Sequence, residues 1–258
     1  MNSTRRGFCG IILLAASLAL LGCGDGTVFY VRSVNASNGL KGYTVQVGVT
    51  GIVASLPYGT EGVQPKGQYS TTDTSGNYRE LGAGANQKVT VYTTPGSTPL
   101  ASETQSFLKN TYYTVVTLAQ APSITLRTLA DGDTAPPSGD FKVRMLQAST
   151  TSGPVDVYFT ASGANVSGTP AISNLQFGQV TQQYYSEAAG TVEIQITPAG
   201  NPSTILYSGV ATVTAGANYT AYFLDPPSIN GVSPAIFGLL LVKDPVLAAS
   251  TTSSTTGS

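Results

Sequence analysis

Asp131, Asp133 and Asp140 fall within ten residues of one another, in and beside the stretch Ala130-Asp131-Gly132-Asp133-Thr134-Ala135-Pro136-Pro137-Ser138-Gly139. Carboxylate and carbonyl oxygens at such spacing are the ligands calcium takes, so the three acids are the candidates for a clamp on a joint. A polar turn with solvated charges accounts for them as simply, and no metal and no cofactor is expected. Asp156, Glu187 and Glu193 are the acids that could serve glycoside hydrolysis. That reaction needs two carboxyls ~5–10 Å apart, and nothing in the spacing selects a pair. Asp156, in Val155-Asp156-Val157-Tyr158, is expected on the polar side of a strand, paired with Arg144 or forming a binding spot. Tyr112-Tyr113 and Tyr184-Tyr185 could stack on sugars. Neighbouring strand residues face opposite ways, however, so one of each pair belongs to a core.

Composition removes whole classes of chemistry. Among 258 residues there is no His and no Trp, and there are only 2 Cys. Without imidazole there is no Ser-His-Asp triad and no His metal ligand. Two cysteines build neither a zinc site nor a disulfide scaffold. Lys plus Arg is 12 against 13 Asp plus Glu, which is not the basic footprint of a nucleic-acid binder. An enzyme is not expected, and no nucleic-acid partner is.

The N-terminus reads as an address. Arg5 and Arg6 are its only charges, and an apolar run from Ile11 to Leu21 follows. The run is too short to span ~30 Å of hydrocarbon, but it suits a secretory signal. Leu20-Leu21-Gly22-Cys23 resembles the lipobox of bacterial lipoproteins. That resemblance implies a signal peptide over 1–22, cleavage between Gly22 and Cys23, and acylation of Cys23. Several acyl chains anchor far better than one, at ~0.8 kcal/mol per buried methylene. Thr4-Arg5-Arg6-Gly7-Phe8 also resembles the twin-arginine export signal, which would carry the chain across a membrane already folded. The partner implied is a membrane, reached through the N-terminal lipid. Gly24 lacks the Asp that retains some lipoproteins at the inner membrane, which favours the outer one. Losing Arg5 and Arg6 takes the net charge from −1 to −3, and losing Cys9 leaves no free thiol.

The rest of the chain repeats itself. Val31-Arg32-Ser33-Val34-Asn35-Ala36-Ser37 aligns with Val143-Arg144-Met145-Leu146-Gln147-Ala148-Ser149. Tyr43 to Val47 matches Pro154 to Tyr158, and Ser55 to Gly59 matches Asn174 to Gly178. Ala83-Gly84 and Ala189-Gly190 each precede an alternating run. Asn110 to Thr114 matches Gly216 to Thr220. An apolar strand follows each, Ile124 to Leu129 and Ile236 to Val242. Within the blocks the apolar period is two: Val45, Val47 and Val49 in one, Val155, Val157 and Phe159 in another, Val192, Ile194 and Ile196 in a third. That is the pattern of half-buried antiparallel strands, punctuated by Gly, Pro, Asn and Ser turns. No helical periodicity competes with it.

The fold expected is all-β, with two tandem immunoglobulin-like antiparallel β-sandwich domains over 27–133 and 139–246 after the lipoprotein signal peptide. Pro136-Pro137 stiffens the linker between them. The Ser/Thr tail over 247–258 cannot bury apolar area and is expected to be disordered. Asn35, Asn165 and Asn218 fit the glycan-acceptor pattern, which a bacterial lipoprotein would seldom use.

The repeated blocks resemble the DUF4397 family of bacterial surface proteins. The second copy carries the resemblance best, in Arg144, Ala148-Ser149, Val155-Asp156-Val157-Tyr158, Phe177-Gly178-Gln179-Val180-Thr181, Ala189-Gly190 and Tyr219-Thr220. The first copy is degenerate, with Tyr43-Thr44-Val45 where the acidic motif is expected. Members often have His before Ala-Ser, where Asn35 and Gln147 stand here. The resemblance implies a secreted or cell-surface module without established catalysis. The expected role is therefore a non-catalytic, membrane-anchored structural or adhesion module of the cell envelope. The alternative is a binder of polysaccharide or a small ligand, with a glycan or an envelope protein as partner.

Overall fold

The computed structural model describes residues 27–40, 42–53, 56–62, 78–94, 96, 98–119, 123–227 and 236–249. The sequence features at Arg5, Arg6, Gly22 and Cys23, and the tail from residue 250 on, lie outside them. Every described element is a strand.

The first half holds β1 (Val28–Asn35), β2 (Tyr43–Val47), β3 (Thr50–Val53), β4 (Thr60–Gly62), β5 (Arg79–Gly82), β6 (Gly84–Thr93), β7 (Pro99–Phe107), β8 (Tyr112–Leu118) and β9 (Thr125–Asp131). An outer sheet runs β3-β2-β6-β7. An inner sheet runs β4-β1-β8-β9, with β5 also on β1. After the two-residue β10 (Asp133–Thr134), the second half repeats the plan. It holds β11 (Asp140–Gln147), β12 (Val155–Ala161), β13 (Ile172–Leu175), β14 (Tyr185–Ala188), β15 (Gly190–Pro198), β16 (Tyr207–Val213), β17 (Asn218–Leu224) and β18 (Gly238–Asp244). Its outer sheet is β13-β12-β15-β16 and its inner sheet β14-β11-β17-β18. The chain closes with β19 (Val246–Leu247), which pairs with β10.

Three apolar cores stack these sheets into four layers. Phe29, Val31, Tyr113 and Val115 of the first inner sheet pack on Val45, Val89 and Val91 of its outer sheet. Phe141, Val143, Tyr219 and Phe223 pack likewise on Val155, Ile194 and Ile196. The third core lies between the inner sheets, where Val34, Val116, Leu118 and Leu129 meet Leu146, Tyr222, Leu224 and Val242. Side chains alternate across a strand, so β1, β8, β11 and β17 give one face to their own sandwich and the other to this shared core. β17 is accordingly buried at all seven positions.

Three expectations are corrected. The sheets are not wholly antiparallel, because β1 runs parallel to β8 and β11 parallel to β17. Those pairs lie where both faces are covered, the setting parallel strands require. The segment between the sandwiches begins with a short ladder. Asp131 ends β9, and Asp133 and Thr134 form a ladder with Val246 and Leu247, so Leu247 belongs to a strand rather than to the tail. Val49, expected inward, is 98% exposed. The chain reverses between β2 and β3 at Gly48, whose φ of 60° glycine adopts at no steric cost.

Candidate functional site

The chemistry-bearing side chains converge between the inner sheets. Arg32 on β1 and Arg144 on β11 point from equivalent positions into the shared layer, and Asp131 and Asp244 end the equivalent strands β9 and β18. Each arginine crosses to the other half. Arg32 Nη2 donates to Asp244 and Nη1 to the Lys243 carbonyl at 2.7 Å. Arg144 Nη2 donates to Asp131 and Nη1 to the Ala130 carbonyl at 2.7 Å. The Nε atoms reach Thr114 Oγ1 and Thr220 Oγ1, both at 2.8 Å. The hydroxyls of Tyr78 and Tyr184 donate to Asp131 and Asp244, each at 2.8 Å, and so do those of Thr114 and Thr220. The tyrosine rings lie under the guanidiniums, 4.5 Å from Arg32 and 5.0 Å from Arg144. Longer contacts close the set, Arg32 to Asp131 at 3.7 Å and Arg144 to Asp244 at 3.9 Å. These contacts relate the two halves by a pseudo-twofold, which one ion pair breaks: Arg32 Nη1 also meets Glu61 at 3.3 Å, and among the described residues no carboxylate takes that place beside Arg144.

Burial opposes the charged form of both arginines, but Tyr78 and the carboxylates Asp131 and Asp244 hold Arg32 firmly protonated. Asp131, Tyr184 and Asp244 do the same for Arg144. Burial also raises Asp244, with the Asp131 charge adding to it and the two guanidiniums pulling back. Burial and Asp131 push the Tyr78 hydroxyl up, so it remains a donor. Such a network of matched buried charges gains little over apolar packing, yet losing one member strands its partner. Its contacts run from each half to the other, beside the apolar core the inner sheets share.

The predicted calcium ligands are dispersed. Asp131 is taken by Arg144, Tyr78 and Thr114. Asp133 pairs with Lys142 at 2.8 Å, and Asp140 accepts from Ser186 at 2.9 Å. No cluster of three metal-ligating side chains occurs among the described residues. Asp156 is not the partner of Arg144. It is buried, and accepts from the backbone N–H groups of Asn174 and Gly200, both at 2.8 Å. Glu193 lies opposite Thr160, four residues along β12 from Asp156. That is a spacing of ~13 Å, beyond the reach of a hydrolytic pair. Glu187 stands on the inner sheet, where burial and Asp140 raise its carboxyl.

Of the tyrosine pairs, Tyr113 is core as expected, while Tyr184 and Tyr185 are both half-buried, one against Arg144 and the other against the second core. Asn35 and Asn218 are fully buried, which removes them as glycan acceptors in the folded chain. Asn218 instead ties β10 to the segment before β19, donating to the Asp133 carbonyl at 2.7 Å and the Pro245 carbonyl at 3.2 Å.

Arg32, Asp244, Tyr78, Thr114 and Thr220 went unrecognised as site residues in the sequence. The signal was present. Extending the match of Leu129 with Val242 by two residues pairs Asp131 with Asp244, and the aligned Val-Arg blocks already pair Arg32 with Arg144.

Fold and site together define an all-β protein of two like sandwiches locked by a buried ionic joint. The family model "Domain of unknown function (DUF4397)" matches residues 29–158, from β1 into β12, and the chain belongs to that family. No curated protein matches. Among solved structures, a streptococcal virulence factor reported for alpha-glucan binding is similar at 9% identity and a TM-score of 0.24, covering 74% of this chain and 91% of that one. The multi-modular glycogen-degrading pneumococcal virulence factor SpuA gives 12% identity and 0.24, over 75% of this chain and 20% of its own. A family CBM26 module of Eubacterium rectale Amy13K, in complex with maltoheptaose, gives 9% and 0.24, over 82% and 95%. Likeness at that TM-score assigns no ligand.

Proposed function

We propose that the chain is a non-catalytic, lipid-anchored module of the bacterial cell envelope, in which two copies of the family's domain act as one rigid structural or adhesion unit. The observation that carries this reading is the joint. Two arginines, two aspartates, two threonines and Tyr78 are buried, and with the half-buried Tyr184 these side chains, the best equipped for chemistry, are matched to one another. A joint of that kind suits a protein that must present surfaces at fixed spacing from a membrane. Leu20-Leu21-Gly22-Cys23 supports a lipid on Cys23, and Gly24, in place of an Asp that would retain the chain at the inner membrane, favours the outer one.

Growth with an alkyne-tagged palmitate tests the anchor. Label should enter the wild-type chain and follow the membrane fraction, and Cys23→Ala should lose the label and appear in soluble fractions. A Cys23→Ala chain that stays with membranes would refute lipid anchoring.

A further inference from the structure

A furrow runs along one side of the seam between the halves. One basin of about 320 Å³ lies between Arg127 on β9 and the second half's Ser173, Gln179, Gln182 and Tyr185. A second, of about 370 Å³, continues from Gln182 past Gln183 and Tyr184 to Arg144 and Asp133. Arg144 and Tyr184 of the joint line the second basin, so that stretch of wall is held in place before any ligand arrives. Arg127 is exposed, and its guanidinium has no hydrogen bond or ion pair among the described residues. Asp133, the carboxylate at the far end, is already neutralised by Lys142.

The copies differ here. The position equivalent to Arg127 on β18 is Leu240, packed against the shared core. The charge at the mouth of the furrow is therefore a feature of one side only and has no part in the pseudo-symmetric joint.

We propose that this furrow binds an acidic polysaccharide, with a uronate carboxylate on Arg127 and ring hydroxyls on the amides of Gln182 and Gln183. A guanidinium recognises a carboxylate through two parallel N–H donors. A primary amide both donates and accepts, as sugar hydroxyls demand. A furrow of two joined basins admits a chain rather than a single small molecule, and although Ile172, Leu175 and Val180 line the first basin, the surface the furrow exposes is more polar than apolar. The proposal goes beyond the anchored-module reading and stands or falls separately from it, since the furrow is independent of Cys23.

The test is titration of the full chain in mild detergent with oligosaccharides of galacturonate, of mannuronate and of glucuronate-containing repeats. Neutral oligosaccharides and oligoglutamate serve as controls. At least one uronate series should bind. Arg127→Ala should weaken it about tenfold, Arg127→Lys less, and Gln182→Ala severalfold, with the unfolding midpoint unchanged because both side chains are exposed. The proposal is overturned if no uronate binds, if Arg127→Ala and Gln182→Ala bind as the wild type does, or if neutral sugars or oligoglutamate bind equally well.

Discussion

Replacing Asp244 by Asn is the sharpest probe of the joint. The side chain is fully buried, accepts from Arg32, Tyr184 and Thr220, and lies 3.9 Å from Arg144. The substitution keeps shape and one acceptor but leaves two buried guanidiniums sharing one buried carboxylate, Asp131, with only the partly exposed Glu61 at 3.3 Å from Arg32 beside it. A unit charge pair at about 4 Å is worth about 4 kcal/mol at an effective dielectric of 20. Breaking a buried pair from one side costs about 3–5 kcal/mol, and that loss is expected in urea unfolding. Adding Arg32→Met removes the stranded charge, so the double variant should cost at least about 2 kcal/mol less than the two single losses combined. The half-buried pair of Lys142 and Asp133, still in reach of solvent, supplies the reference, and Asp133→Asn should cost less than Asp244→Asn, about 1 kcal/mol. If Asp244→Asn costs no more than Asp133→Asn, or if the double variant is additive, the joint is not what fixes the two halves.

Other outcomes follow from single contacts. The Tyr222 hydroxyl is buried without a hydrogen-bond partner among the described residues, so Tyr222→Phe should be neutral or stabilising by up to about 1 kcal/mol in the same unfolding assay. Gly132 has a φ of 94°, and a Cβ there would meet Leu247 and the Pro245 carbonyl at 3.0 Å. Gly132→Ala should therefore lower stability by about 1–3 kcal/mol and strip hydrogen-exchange protection from β10. Burial would raise Asp225, but hydrogen bonds from Ser149, Thr151 and Thr150 outweigh it and hold its carboxyl below the ordinary range. A depressed folded pKa gives stability that is present above about pH 4 and lost as pH falls through the folded value. Asp225→Asn should thus flatten the acid limb of the stability profile, measured by urea midpoints from about pH 2 to 6.

Strand positions were legible because the outer sheets obey the simple rule. In β2, Tyr43, Val45 and Val47 are buried while Thr44 and Gln46 are half-exposed, as a sheet wet on one side demands. The inner sheets hid their second buried face because it is built partly from polar residues. Read alone, Arg32, Thr114 and Thr220 look like the solvent side of an alternating strand; only the other half's aspartates make them interior. Pairing of strands across the sequence was equally hidden. Nothing in the spacing of β1 and β8 separates a parallel neighbour from an antiparallel one, since both present the same period of two.

The divergence of the copies separates what the joint needs from what it merely tolerates. Arg32 and Arg144, Thr114 and Thr220, Asp131 and Asp244, Tyr78 and Tyr184 are alike because each interaction needs both charge and shape. Two to five residues away from them along the chain, the copies part. Val116 stands opposite Tyr222 in the repeat, Ala119 opposite Asp225, and Arg127 opposite Leu240. Asp225 satisfies the Ser149-Thr150-Thr151 turn with hydrogen bonds of 2.5–3.1 Å, whereas Ser37 of the first half donates instead to the Ala119 carbonyl at 2.7 Å. Each half thus satisfies the polar groups after its Ala-Ser corner by a different route. Matched charges must change together or strand a partner in the interior, while a hydroxyl, an aliphatic side chain or a furrow arginine can change alone. The joint therefore holds its composition on both sides of the pseudo-twofold, and specificity is free to develop on one side only, where Arg127 opens onto the seam.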